Sequence, residues 1–137
     1  LNLKELFLHE NKLWGNIPES LRHLKDLRYL YLYKNKLTGT IPEWLAELSH
    51  LHGLVLGENK LRGQIPWQLG HLHELQDLYL NDNDLDGGIP ERLLNCERLQ
   101  RLFLGGNRLT GSVPRYLRHM NDLRELNIER NNLHGEV

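Results

Sequence analysis

Groups able to bind an ion, move a proton or attack a carbonyl fall in only a few places along this chain. Asp82-Asn83-Asp84-Leu85-Asp86-Gly87 imitates the opening of a calcium loop, where alternating oxygens converge on the ion. Such a loop closes with a bidentate Glu at its twelfth position, which here is Leu93. His50, His52, His71 and His73 flank Leu51 and Leu72, and imidazoles so placed can catch a metal. No carboxylate or cysteine completes a ligand pattern around them. His9 with Glu5 or Glu10 offers an acid–base pair, but an open surface lacks the dry cleft that catalysis prefers. Cys96 is the one cysteine; it occupies an apolar position and reads as a small buried residue, not a nucleophile. There is no GxSxG, phosphate loop or HExxH. The sequence nominates no catalytic residue, no metal ligands and no cofactor.

Charge excludes further partners. Seventeen Lys plus Arg against eighteen Asp plus Glu leave a net charge of −1, so nothing draws the chain to nucleic acid or an anionic membrane. No run approaches the ~18 apolar residues of a membrane span. Leu1-Asn2-Leu3-Lys4-Glu5 lacks the basic start and apolar core of a signal peptide. Lys12, Lys36, Lys60 and Arg108 recur at one spacing, interrupted by Asp84 and Asn132. Glu10, Glu58 and Asp82 lie two residues upstream, so the series reads as an exposed, compensated edge.

What positions these groups is a period of 24 residues. Leu3, Leu27, Leu51, Leu75, Leu99 and Leu123 keep it without error, as do Asn11, Asn35, Asn59, Asn83, Asn107 and Asn131. Gly15 and its five equivalents keep it too, and all five prolines, Pro18, Pro42, Pro66, Pro90 and Pro114, share one slot. Residues 3–122 are five full repeats and 123–137 begin a sixth, within one domain spanning 1–137. Six apolar slots per repeat hold Leu in thirty-one of thirty-four cases; Cys96, Met120 and Ile128 fill the others. A seventh slot holds Ile17, Ile41, Ile65, Ile89, Val113 and Val137. A fixed period of this length means a solenoid, because one repeat cannot bury such a face alone.

The slots predict local structure. Leu6-x-Leu8 alternates in and out, which reads as a short strand. Successive strands run the same way and pair as a parallel sheet. The Asn follows each strand, where its buried amide should bond backbone groups of the turn in its own and the next repeat. Gly15 and its equivalents permit positive φ. Ile17-Pro18 then opens a short helical or 3₁₀ segment, with Pro in the first turn and Leu21 and Leu24 facing the core.

The unit LxxLxLxxNxLxGxIPxxLxxLxx, carried for example by Leu27-Arg28-Tyr29-Leu30-Tyr31-Leu32 through Leu37-Thr38-Gly39-Thr40-Ile41-Pro42, resembles the leucine-rich repeat of the plant-specific class. The resemblance covers the whole chain. It implies an α/β horseshoe with the parallel sheet on its concave face and helical or 3₁₀ segments on the convex side. It also implies ligand recognition, as in receptor-like kinase ectodomains, receptor-like proteins and polygalacturonase inhibitors, and hence the cell surface or extracellular space. The chain departs from the extracellular members in lacking cysteine-paired caps and any Asn-x-Ser/Thr acceptor, which leaves a cytoplasmic location open. It starts inside one repeat and stops before an expected Pro, so it reads as a segment of a longer solenoid. Uncapped ends would expose core leucines and invite self-association.

Function must then lie where the frame varies. Three outward slots bracket the buried strand leucines. The middle one runs Phe7, Tyr31, Val55, Tyr79, Phe103, Asn127. The first runs Glu5, Tyr29, Gly53, Asp77, Arg101, Glu125, and the third His9, Tyr33, Gly57, Asn81, Gly105, Glu129. Six of the seven Phe and Tyr residues fall here, and none is needed by a leucine core. Such rings give large contact area at little rotamer cost. Repeat three leaves a shallow gap beside Tyr29, Tyr31 and Tyr33. The expectation is a non-catalytic module that binds a protein or peptide through Phe7, Tyr29, Tyr31, Tyr33, Val55, Tyr79 and Phe103, with Asp77, Asn81, Arg101, Asn127 and Glu129 setting polar specificity. The alternative is a structural spacer of a larger or designed repeat protein, its aromatics serving only cross-strand stacking. Trp14, Trp44 and Trp67 read as shields for the leucine core or as a second, lateral contact surface.

Overall fold

The computed structural model describes residues 2–136. Val137, assigned above to the apolar Ile/Val slot, lies outside them. Glu5–Phe7, Tyr29–Tyr31, Gly53–Val55, Asp77–Tyr79, Arg101–Phe103 and Glu125–Asn127 form one parallel six-stranded sheet in chain order. Leu6 pairs with Leu30, Leu30 with Leu54, and so on to Leu126, so each partner is one repeat away. The sequence period thereby becomes a spatial column: residues sharing a slot lie side by side across the concave sheet.

The convex side carries five 3₁₀ segments, Glu19–His23, Glu43–Glu47, Trp67–His71, Glu91–Asn95 and Arg115–His119. Each proline stands just before its segment with extended backbone, one position earlier than the sequence reading put it. Its fixed φ suits that entry, and its carbonyl accepts the first bond, as Pro18 does from the Leu21 N–H at 3.1 Å. Strand, turn and 3₁₀ leucines merge into one core, with Leu27, Leu54, Leu75 and Leu102 wholly buried. Leu8, Leu13 and Leu126, in the first and last described repeats, are exposed.

The asparagine column works against the preceding repeat, not the next one. Asn83 accepts from the Leu61 N–H at 3.0 Å and donates to the Leu56 carbonyl at 3.1 Å, both in repeat three. It also donates to its own Leu80 and Asn81 carbonyls. The direction follows from the ladder: each strand-end N–H, such as Leu32 to Val55, already points into the following repeat. The carbonyl beyond it is left for the following repeat's amide. Asn11, in the first repeat, is exposed and among the described residues bonds only its own Leu8 and His9 carbonyls.

Two features were not anticipated. The residue before the asparagine takes left-handed φ in every repeat, at Glu10, Lys34, Glu58, Asp82, Gly106 and Arg130, although only one is glycine. After the asparagine, the expected turn contains a second ladder. Trp14–Gly15 pairs with Lys36–Leu37, and Arg62–Gln64 with Asp84–Asp86. Its register is 22 residues, as in Trp14↔Lys36, two short of the repeat.

Removing the ladder amide should cost most where it is most buried. Asn83→Ala is expected to destabilise the chain by about 1–3 kcal/mol, since it orphans buried backbone groups, and Asn11→Ala by less than about 0.5 kcal/mol. Chemical denaturation followed by circular dichroism measures both; equal losses at the two sites would mean the ladder contributes nothing beyond its own turn. Lys34→Gly removes left-handed strain at an exposed residue. It should raise stability by about 0.5–1 kcal/mol, net of the added chain entropy.

Candidate functional site

The concave sheet presents two aromatic groups with a dip between them. On one flank Phe7 leans on Tyr31 with centroids 4.9 Å apart, Tyr29 meets Tyr31 edge-on at 6.2 Å, and His9 stacks on Tyr33 at 4.5 Å. On the other, Tyr79 and Phe103 stack at 4.3 Å and 10°. Such pairs stabilise neighbouring strands in their own right. Repeat three lies between them and supplies Gly53, Val55 and Gly57. The result is an open pocket of about 420 Å³ lined by Tyr31, Tyr33, Val55, Gly57, Glu58, Asp77, Tyr79, Asn81 and Phe103. Val55 was expected to present itself outward as a contact; it is 7% exposed, covered by its column neighbours Tyr31 and Tyr79, and forms a floor. Gly57 keeps the dip open, because a Cβ there would come within 2.6 Å of the Asn81 amide oxygen.

Electrostatics tilt the pocket negative. Asp77 accepts from Arg101 at 3.0 Å, and Arg101 also reaches Glu125 at 3.2 Å, so one cation sits between two carboxylates. Burial, and then the Asp77 charge, push the Tyr31 and Tyr79 hydroxyls above the ordinary tyrosine range. Burial raises Tyr33 as well, helped by its hydrogen bond to Glu10 at 3.2 Å. Glu58 stands on the rim and has no ion-pair partner among the described residues. The sequence reading placed Glu58 on a lysine-compensating edge. It lines the pocket instead. Asn127 and Glu129 lie in the last repeat, outside the pocket, and the Asn127 amide oxygen accepts from the Glu129 N–H at 3.2 Å.

The other constellations come apart in three dimensions. The four histidines do not converge: His52 approaches Glu74 at 3.1 Å and His50 the same oxygen at 3.8 Å, while His73 faces the Asn95 carbonyl and His71 packs on Trp67. A carboxylate does therefore stand beside the first pair, which the sequence had not suggested. Among the described residues no three His, Cys, Asp or Glu are placed to hold a metal ion. In the calcium-like stretch, Asn83 is committed to the ladder and Asp82 to Arg130 and Asn81. Lys12, Lys36 and Lys60 make no ion pair among the described residues; Glu10 and Asp82 bond Tyr33 and Arg130, so the edge is not compensated by contact. Trp44 packs on the core, whereas Trp67 is half-exposed under Arg92 at 5.3 Å and Trp14, 83% exposed, shields nothing. Cys96 is buried, donates to the Leu69 carbonyl at 3.3 Å, and has its thiol pushed up to about 12 by burial.

Residues 32–85 match one family model described as leucine rich repeat, and residues 2–24 and 98–120 match another of that description. No curated protein matches the chain. Among solved structures, the plant peptide hormone receptor RGFR1 in complex with RGF2 is similar over 98% of this chain and 22% of its own, with 36% identity and a TM-score of 0.95. The BIR3–SERK2 complex from Arabidopsis thaliana matches at 40% identity and TM-score 0.87, over 96% of this chain and 69% of its own. A plant ice-binding protein matches at 35% identity and TM-score 0.90, over 98% and 44%. The chain spans 16% and 22% of the first receptor chains it matches.

The buried thiol supplies a direct check on the site assignments. With its pKa raised, Cys96 should be almost entirely protonated at pH 8 and react with a maleimide at least ~100-fold slower in the native chain than in denaturant. Equal rates would place the sulfur at the surface.

Proposed function

The chain belongs to the leucine-rich-repeat family, of the plant type, and from that premise we propose that it is a non-catalytic module that takes a protein or peptide against its concave sheet. The observation that carries this is the pair of aromatic groups around the pocket of repeat three. Phe7, Tyr29, Tyr31, Tyr33, Tyr79 and Phe103 are its anchors and Val55 its floor. Asp77, Asn81 and Arg101 set polar selectivity nearby; Asn127 and Glu129 do so at the far end. Rigid half-exposed rings flanking a dip are what a partner's side chain needs for contact at low entropic cost. Solved relatives support a protein or peptide partner, since one holds RGF2 and another is the BIR3–SERK2 complex. Their fold does not choose the ligand, because a plant ice-binding protein shares it. The module works at the cell surface or outside the cell, as the receptor ectodomains of this fold suggest. No described helix is long and apolar enough to cross a membrane.

A spacer role has one observation in its favour. The Tyr79–Phe103 stack and the Asp77–Arg101–Glu125 row already stabilise the sheet without a ligand.

Selection of random linear peptides on the chain, with Tyr31→Ala/Tyr79→Ala as comparison, separates the two readings. The double variant should stay folded, losing about 1 kcal/mol per ring, while selected peptides weaken at least ~30-fold. Equal binding to both proteins would leave sheet stabilisation as the sole role of the rings.

A further inference from the structure

We propose that the pocket over the third repeat takes a cationic side chain, arginine or lysine, of an extended peptide; this rests on the recognition reading above and names what that site selects. Four rings, Tyr31, Tyr33, Tyr79 and Phe103, line the dip, and aromatic faces attract cations. Glu58 and Asp77 add carboxylates, while no Lys, Arg or His lines the pocket. Arg101 offsets Asp77 only in part, since it is shared with Glu125 and the three groups together keep one negative charge. Glu58 is free of ion pairs among the described residues, so it can close on an incoming guanidinium or ammonium.

Other occupants fit less well. An acidic side chain meets two carboxylates across a low-dielectric floor of Val55 and ring carbon. An apolar side chain gains the rings but covers the rest of the Asp77 carboxylate without offering it a partner. Burial chiefly, and then the Asp77 charge, raise the hydroxyls of Tyr31 and Tyr79, with Arg101 opposing the shift at Tyr79. The volume of about 420 Å³ lies at the low end of small-ligand sites, suited to one long side chain rather than a folded surface.

The peptides selected on the parent chain provide the probe. Those that lose affinity for Tyr31→Ala/Tyr79→Ala should share an Arg or Lys. Replacing that Arg with citrulline, which keeps shape and removes charge, should weaken binding at least ~10-fold. Glu58→Gln, at an exposed residue outside the frame, should shrink the citrulline penalty to about threefold or less without altering thermal stability. Ring-dependent peptides that lack a shared basic residue, or that tolerate citrulline, overturn the cation pocket and leave concave recognition standing. An unchanged citrulline penalty on Glu58→Gln overturns the assignment of that residue and of the pocket it borders. Selection that yields no ring-dependent peptide overturns both readings.

Discussion

A single side-chain amide at the end of each strand holds the molecule in register. It accepts from an N–H on the far side of the preceding turn and donates to the carbonyl on its near side, as Asn59 does with Leu37 and Leu32. Only a short side chain with both a donor and an acceptor can do this. A hydrocarbon of similar size would leave both groups orphaned, and an acid would supply no donor. The bond also closes the left-handed turn just before it, which explains how Glu10, Lys34, Glu58, Asp82 and Arg130 tolerate a conformation that otherwise favours glycine. Strain at one residue per repeat is offset by four backbone groups bonded to each asparagine from Asn35 to Asn131, as at Asn83, and by two at Asn11.

The turns of the first five repeats are held in the same way, each by the asparagine of the repeat that follows, so successive strands keep one register. The register of 24 residues then stacks slot upon slot. Leucine fills the inward columns. The outward columns are free to vary, and it is there that Phe, Tyr, Gly and charge alternate. The concave pocket is therefore a sequence effect on a fixed frame: two bulky repeats, one small one, two bulky ones. Gly53 and Gly57 act through absence, giving room to the Tyr29 and Tyr31 rings and to Asn81.

Much of this was legible beforehand because the frame repeats. The strands, the core, the outward columns and the gap at repeat three follow from Leu, Asn and Gly positions counted modulo 24. What the sequence hid depends on three-dimensional direction. Asn83 reaches back rather than forward because the strand-end N–H groups already point forward. Glu58 lines the pocket while Lys34 and Asp82, in the same left-handed slot, do not, a difference the slot itself does not announce. Val55 is covered because its neighbours are large, a fact of columns 24 residues apart. The His50–Glu74–His52 contact spans two repeats and looks like nothing in linear order. The second ladder was obscured by its different offset of 22, as between Gly15 and Leu37.

Native-state hydrogen exchange of the amides that feed the asparagine column bears most directly on this frame. The N–H groups of Leu61 and Leu85 donate to the buried amide oxygens of Asn83 and Asn107, and that of exposed Leu13 to half-buried Asn35. Leu61 and Leu85 should exchange among the slowest amides of the chain, at the limit set by global unfolding, with Leu13 much faster. Exchange of Leu61 and Leu85 as fast as the exposed turn amides would contradict an amide-held register, and with it the fixed concave columns on which the pocket depends.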